Sequence, residues 1–370
     1  MGDNKQASCC SENTAKQKTT STCCSGTLSR TIITAGGAVK RVDSKFSSKD
    51  RWTAIKVRLG IGRDRYTVAP GLYAIGQPDE TSPVFVSANY RLSFDMLRKN
   101  LSGISGWILV LDTRGINVWC AAGKGTFGTS ELVNRIKSTA LADVVDHRNV
   151  IVPQLGAPGV AAHTVREKTG FSVIWGPVRA ADISAFLSAD QRANQEMRRV
   201  HFTFRDRFVL TMVEFTGSIR FSAIILAVLT IIAIIAKWNE PFYNIILTAL
   251  ISFIPYFGAV VTGTILFPLL LPILPGRAFS FKGWVAGLFW VLIYGVIYSL
   301  SGCALTWQNI LPAALIAPPI TAFITLNFTG ASTFTSLSGV VKEMRLSMPA
   351  IIGSAAMGVI ALVLGTLVFA

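Results

Sequence analysis

Trp107-Ile108-Leu109-Val110-Leu111 leads into Asn117-Val118-Trp119-Cys120-Ala121-Ala122-Gly123-Lys124-Gly125-Thr126-Phe127-Gly128, and these two stretches decide the fold. An unbroken apolar run of this length, bounded by turn residues, reads as a strand buried on both faces. The glycine-rich segment reads as a turn, and the residues from about 129 to 141 as a helix. One cysteine, Cys120, therefore stands where a strand end meets a turn, the place where open α/β sheets put their ligands.

The same alternation extends outward. Val84-Phe85-Val86 is a strand leading through Asn89 and Tyr90 to a helix capped by Ser93, with Phe94, Leu97 and Leu101 on one face. Asn149-Val150-Ile151-Val152-Pro153 is the next strand, followed by Gln154-Leu155-Gly156-Ala157-Pro158-Gly159. Pro158 suits the first turn of a helix that Gly170 ends. Phe171-Ser172-Val173-Ile174-Trp175 and a helix at about 181–189 close the domain. This pattern predicts an α/β domain over 51–190 with a mostly parallel sheet and helices on both faces. Its turns at 117–125 and 153–160 would line one crevice.

Composition divides the chain. Hydrophobic residues make up 51% and charged residues 15%, and only five Lys/Arg and two Asp/Glu lie beyond Arg220. Five apolar stretches follow, at about 220–237, 242–274, 283–301, 306–329 and 348–370, each long enough to span a membrane. The second reads as one kinked helix or a helix with a re-entrant piece around Pro255. Arg277 with Lys282, and Lys342 with Arg345, put two loops on the side of the α/β domain, which the positive-inside rule makes cytoplasmic. No ionisable residue sits deep inside any stretch, which favours an anchor or docking platform over an ion-driven pump. Residues 191–219 form a basic amphipathic connector. The net charge of +15 then fits the anionic face of a cytoplasmic membrane, and no nucleic-acid module accompanies it.

Residues 1–50 are rich in Ser, Thr and Lys and are expected to be disordered. They contain no apolar core of a signal peptide, so the thiols should stay reduced in a cytoplasm. Cys9-Cys10 and Cys23-Cys24 are adjacent pairs, a poor match to the C-x-x-C spacing of zinc and iron–sulfur sites. They read as incidental thiols or transient holders of a soft metal ion. Cys303 reads as a packing residue.

Several chemistries compete for the central turn. Gly123, Gly125 and Gly128 match the dinucleotide fingerprint G-x-G-x-x-G, with Asp143 or Asp146 near the distance for a ribose contact. A phosphate loop fails, because Gly125 stands where Ser or Thr is required and Val118 where the first glycine belongs. A tight turn with a small buried cysteine is the plain structural alternative. The histidine-on cobalamin motif D-x-H-x-x-G is absent; His147 and His163 lack that context.

The octapeptide Asn-Val-Trp-Cys-Ala-Ala-Gly-Lys at 117–124 resembles the signature of the HgcA family, the membrane corrinoid proteins of the microbial mercury-methylating pair. The likeness extends to Ser87-Ala88-Asn89-Tyr90 and to Pro153-Gln154-Leu155-Gly156-Ala157-Pro158-Gly159-Val160-Ala161-Ala162-His163. The resemblance implies a Rossmann-like corrinoid-binding α/β domain followed by an all-α membrane domain of five transmembrane helices. It makes Cys120 the lower axial ligand of cobalt in base-off cobalamin, and the catalytic residue. Cofactor contacts are then expected from Asn117, Val118, Trp119, Cys120, Ala121, Ala122, Gly123, Lys124 and Gly125, and from Gln154, Leu155, Ala157, Pro158 and Gly159. Residue chemistry agrees: a short helix through 121–124 would favour negative charge on the preceding sulfur, and Lys124 adds positive charge. Small side chains at 121–123 and 125 would let the backbone approach a flat ring.

The implied activity is a corrinoid methyltransferase, passing a methyl group from cysteine-ligated methylcobalamin to Hg(II) and giving methylmercury. Implied partners are a ferredoxin-like iron–sulfur reductant and a methyl donor protein or methylated pterin. Two alternatives stand beside it. A corrinoid methyl carrier of acetyl-CoA metabolism would bring a cluster module and a barrel ahead of the domain, which 1–50 do not provide. A membrane-tethered dinucleotide-binding regulator would hold a nucleotide and no cobalt.

Overall fold

The computed structural model describes residues 31–302, 304–331 and 337–368. Cys9, Cys10, Cys23, Cys24, Cys303 and residues 1–30 of the expected tail lie outside the described residues. The rest of that tail is ordered, contrary to expectation. Residues 31–42 form a hairpin of β1 (Thr31–Thr34) and β2 (Gly37–Val42), and α1 (Ser48–Arg58) follows behind a capping box of Ser47 and Asp50. Only Val39 of the hairpin is fully buried, so its composition carries little apolar signal.

The domain continues as β3 (Gly71–Ile75), β4 (Val84–Ala88), α2 (Arg91–Asn100), β5 (Gly106–Leu111) and α3 (Val118–Gly123). Next come α4 (Thr129–Ser138), β6 (Asn149–Pro153), α5 (Ala162–Thr169), β7 (Ser172–Gly176) and α6 (Ile183–Ser188). Two expected helix starts are displaced. Tyr90, not Ser93, caps α2, and α5 begins at Ala162, with Pro158 in the turn ahead of it. Gly170 does end α5, in the left-handed conformation at φ +76 that favours glycine.

The seven strands lie in the order β1-β2-β3-β5-β4-β6-β7. β5, β4, β6 and β7 are parallel, as are β2 and β3, while β3 runs antiparallel to β5 and β1 to β2, so the sheet is mostly parallel, as expected, with two antiparallel pairings. β4 and β5 occupy the centre and are buried along their whole lengths, which explains their continuous apolar sequence. Alternate residues serve the two faces. Val86, Trp107, Leu109 and Leu111 pack with Leu132 and Ile136 of α4 and Val165 of α5. Phe85, Ile108 and Val110 pack with Phe94 and Leu97 of α2 and Phe186 of α6. The connection from β4 goes to one side, to β5, and the connection from β5 crosses back to β6. A topological switch point thus lies at the carboxyl ends of β4 and β6.

A charge cluster ties the N-terminal residues to α2. The buried Arg98 guanidinium donates to Asp95 at 2.7 Å, pairs with Asp50 at 3.1 Å and donates to the Asp43 carbonyl at 2.6 Å. Tyr66 donates to the other Asp95 oxygen at 3.1 Å. Burial, followed by the Asp95 charge and this hydrogen bond, pushes the Tyr66 phenol from 10.0 up to about 12. Folded protein therefore holds a proton that unfolded chain releases near pH 10, so this stabilisation is whole below pH 10 and is lost as pH rises from 10 to 12. Tyr66→Phe is expected to flatten the fall in thermal unfolding midpoint across that window, compared with wild type in the same detergent.

Beyond the α/β domain run α7 (Phe204–Ala236), α8 (Phe242–Val261), α9 (Phe267–Leu270), α10 (Phe279–Leu300), α11 (Trp307–Leu326) and α12 (Leu337–Val368). A π-helical stretch, Thr262–Leu266, joins α8 to α9 in one helical path, so the long second stretch is a single span-length helix. Five helices among the described residues are long and apolar enough to cross a membrane. The first starts sixteen positions earlier than the apolar stretch at 220, because Thr203 and Asp206 form a capping box, and it takes up half of the expected connector. This longer helix carries Glu214, which lines a cavity of about 500 Å³ with Tyr256 and Asn327.

Candidate functional site

A cavity of about 330 Å³ opens at the switch point. Its walls come from Ser87 of β4, Met96 of α2, Asn117, Val118 and Trp119 at the start of α3, Pro153 and Leu155 after β6, and Pro177 and Val178 after β7. The two turns expected to share a crevice do so, on a largely apolar lining. The residues after β7 and on α2 were absent from the sequence reading; Gly176-Pro177, a turn signal directly after a strand, was the available clue.

α3 places the cysteine. Asn117 caps the helix, its Oδ1 accepting from the Cys120 amide at 2.9 Å. Cys120 is thus inside the first turn rather than just ahead of a helix, half-buried, with a free thiol. It follows Trp119, which is 36% exposed at the cavity wall, but does not itself line the cavity. Ala121 and Ala122 face the core, so their small size serves helix packing and not access to a ligand. Gly123 and Gly125 are different: a Cβ at either would meet nothing within 4 Å, and Gly125 has φ +78. Lys124 is exposed beside them.

The loop after β6 packs against α3. The Gly159 carbonyl accepts from the Thr129 amide at 3.1 Å, and Thr129 Oγ1 accepts from the Ala161 amide at 2.8 Å. Gly159 lies on Ala122 and Phe127, Ala157 is half-buried, and Pro158 is exposed. Gln154 Oε1 is buried without a hydrogen-bond partner, an acceptor left open next to the cavity residue Leu155.

Asn89 holds the approach to α3. Its Oδ1 accepts from the Thr113 amide at 3.1 Å, the Thr113 hydroxyl at 2.8 Å and the Gly115 amide at 2.9 Å, while Nδ2 donates to Asp112 at 3.1 Å. Glu131 of α4 accepts from the Asp112 amide at 2.8 Å. The sequence contains no periodicity that marks such a hub. Asn89→Ala leaves buried donors unpaired and is expected to cost about 3 kcal/mol in thermal unfolding. Asn89→Asp should recover only part, because it restores the acceptor beside the Asp112 carboxylate.

The dinucleotide reading loses its ribose contact. Asp143 lies before β6, at the amino end of the strand and away from the carboxyl-end cavity, in a groove with Lys137 and Glu167. His147 Nε2 donates to the Ser82 carbonyl, 2.9 Å away, and His163 is exposed. Among the described residues, no three His, Cys, Asp or Glu side chains converge on a metal site.

Fold and site therefore define an α/β domain with an apolar switch-point cavity and an adjacent half-buried thiol, continued by five apolar helices. Residues 57–187 match the family described as CO dehydrogenase/acetyl-CoA synthase delta subunit. The acetyl-CoA decarbonylase/synthase complex subunit gamma of Archaeoglobus fulgidus is 34% identical over 138 residues, covering 36% of this chain and 29% of that protein. That of Methanopyrus kandleri is 33% identical over 130 residues, 35% of this chain and 28% of that protein. The corrinoid/iron–sulfur protein large subunit of Moorella thermoacetica is 31% identical over 121 residues, 32% and 27% of the two chains. The chain spans less than a third of the length of these relatives, and the family match ends at residue 187, ahead of α7.

Proposed function

We propose that this protein is a corrinoid-dependent methyl carrier held at the cytoplasmic membrane, in which Cys120 would hold the cobalt through its sulfur. The observation that carries this reading is the position of Cys120: it sits on α3 beside the switch-point cavity, inside the region that matches corrinoid-protein relatives. The residues fit the group. Gly123 and Gly125, three and five residues after Cys120, border open space, and Gln154 Oε1 is an unpaired acceptor suited to the amide-rich rim of a corrin. Trp119 and Leu155 offer apolar surface to its body or nucleotide tail.

When bound, the corrinoid supplies a metal that accepts and releases a methyl group. This chain's part is positional. Asn117 fixes the Cys120 amide and so the direction of its side chain, and Asn89 fixes the loop that delivers both. The apolar cavity excludes water from one side of the site. The resemblance at 117–124 makes a ferredoxin-like iron–sulfur partner the proposed source of electrons.

The curated relatives support a methyl carrier of one-carbon or acetyl-CoA metabolism, and the methyl acceptor is then a partner enzyme. A second reading, transfer to Hg(II) as substrate, is favoured by one specific observation: the signature at 117–124, which resembles the HgcA family, followed by five apolar helices. Purified protein should carry a cobalamin absorption spectrum, and its absence overturns both readings. After loading with labelled methyl, protein is offered Hg(II) or an acetyl-CoA synthase. Label recovered as methylmercury supports the second reading, and label recovered only in acetyl-CoA rejects it.

A further inference from the structure

α1 has two faces. Ala54 and Val57 turn inward and are buried, whereas Trp52 is 60% exposed, Ile55 46% and, in the turn that follows, Ile61 59%. The exposed apolar residues are interleaved with Lys49, Arg51 and Lys56, all exposed, and the Lys56 ammonium lies 5.6 Å from the Trp52 ring centroid. The acidic residue of this helix, Asp50, is turned away and engaged by Arg98 and Arg91. The outward face therefore combines apolar surface with net positive charge, the composition of helices that lie in a membrane interface.

Its height on the molecule matters as much as its composition. α1 packs against α7, and Thr216 Oγ1 stands 3.9 Å from where a Cβ on Gly60 would be. Arg220, one turn beyond Thr216, is the last charged residue of α7, and Phe221 and Ile224 are exposed just past it. The patch thus continues the apolar surface of α7 at the point where that helix would enter the bilayer. Tryptophan is enriched at this depth, and Lys and Arg near it are attracted by anionic headgroups.

We propose that the outward face of α1 and the turn after it, carrying Trp52, Ile55 and Ile61 among Lys49, Arg51 and Lys56, docks on the anionic headgroup surface of the bilayer that α7 enters. This rests on the membrane placement of the five helices. Together with the Arg179–Asp206 ion pair at 2.7 Å, which ties the wall of the switch-point cavity to the first turn of α7, it holds the α/β domain against the membrane at two points.

The test uses full-length protein in phosphatidylcholine–phosphatidylglycerol vesicles whose acyl chains are brominated close to the headgroup. Subtracting Trp52→Phe isolates the Trp52 fluorescence, which bromination should quench. The quenching should weaken in phosphatidylcholine alone and in Arg51→Gln/Lys56→Gln. Trp238→Phe serves as the reference, because Trp238 is exposed at the far end of α7. Quenching of Trp238 without quenching of Trp52 overturns the docking and leaves the spans in place. Loss of both overturns the membrane placement and the docking with it. Equal quenching of Trp52 with and without anionic lipid removes the headgroup attraction from the proposal.

Discussion

Cys120→Ala should purify as a folded protein that has lost sulfur ligation to cobalt and retains no methyl transfer above background. The thiol is half-buried and its residue is held through the backbone by Asn117, so stability should change by no more than about 1 kcal/mol. Cobalt-edge absorption spectroscopy reads the ligand directly, and a sulfur scatterer persisting in the variant sinks the role given to Cys120. The same variant separates two explanations of the signature. If the cysteine were only a small packing residue, alanine would be tolerated in every assay.

Gly159→Ala is expected to have the largest structural effect of any single methyl group near the site. A Cβ there collides with the Phe127 carbonyl oxygen and comes 3.2 Å from Ala122 Cα, both backbone atoms that cannot rotate away. The loop after β6 would have to lift from α3, breaking the bond from the Thr129 amide to the Gly159 carbonyl. Overpacking of this kind costs about 3 kcal/mol or more. Thermal unfolding should show the loss, and corrinoid retention should fall with it, because α3 carries Cys120. Gly123→Ala is the control. It meets open space and should leave the folded protein close to wild type in thermal unfolding, so any loss of corrinoid binding there reports contact with the ring.

The contrast between these glycines marks where the sequence stops being informative. Gly123, Gly125 and Gly159 are all expected cofactor contacts, and Gly123 and Gly125 read in the sequence as letting the backbone approach a flat ring. Gly159 makes room for protein backbone, while Gly123 and Gly125 face open space. Ala121 and Ala122 likewise serve the core. A residue's small size is visible in the sequence, but the atoms that use the space come from other parts of the chain.

By itself, the sequence determined the four parallel strands β4 to β7, the helix stop at Gly170, the five apolar helices and the placement of Cys120 shortly after a strand end. Each is written in a local pattern, because burial on both faces or immersion in lipid demands an apolar run of a given length. Tertiary structure alone decided the antiparallel β3 and the ordering of residues 31–42. It also decided that Asn89 holds the loop before α3 and that residues after β7 complete the cavity. These depend on pairings between distant segments: strand order, the partners of one buried amide and the fit of one loop on another helix leave no periodic trace along the chain.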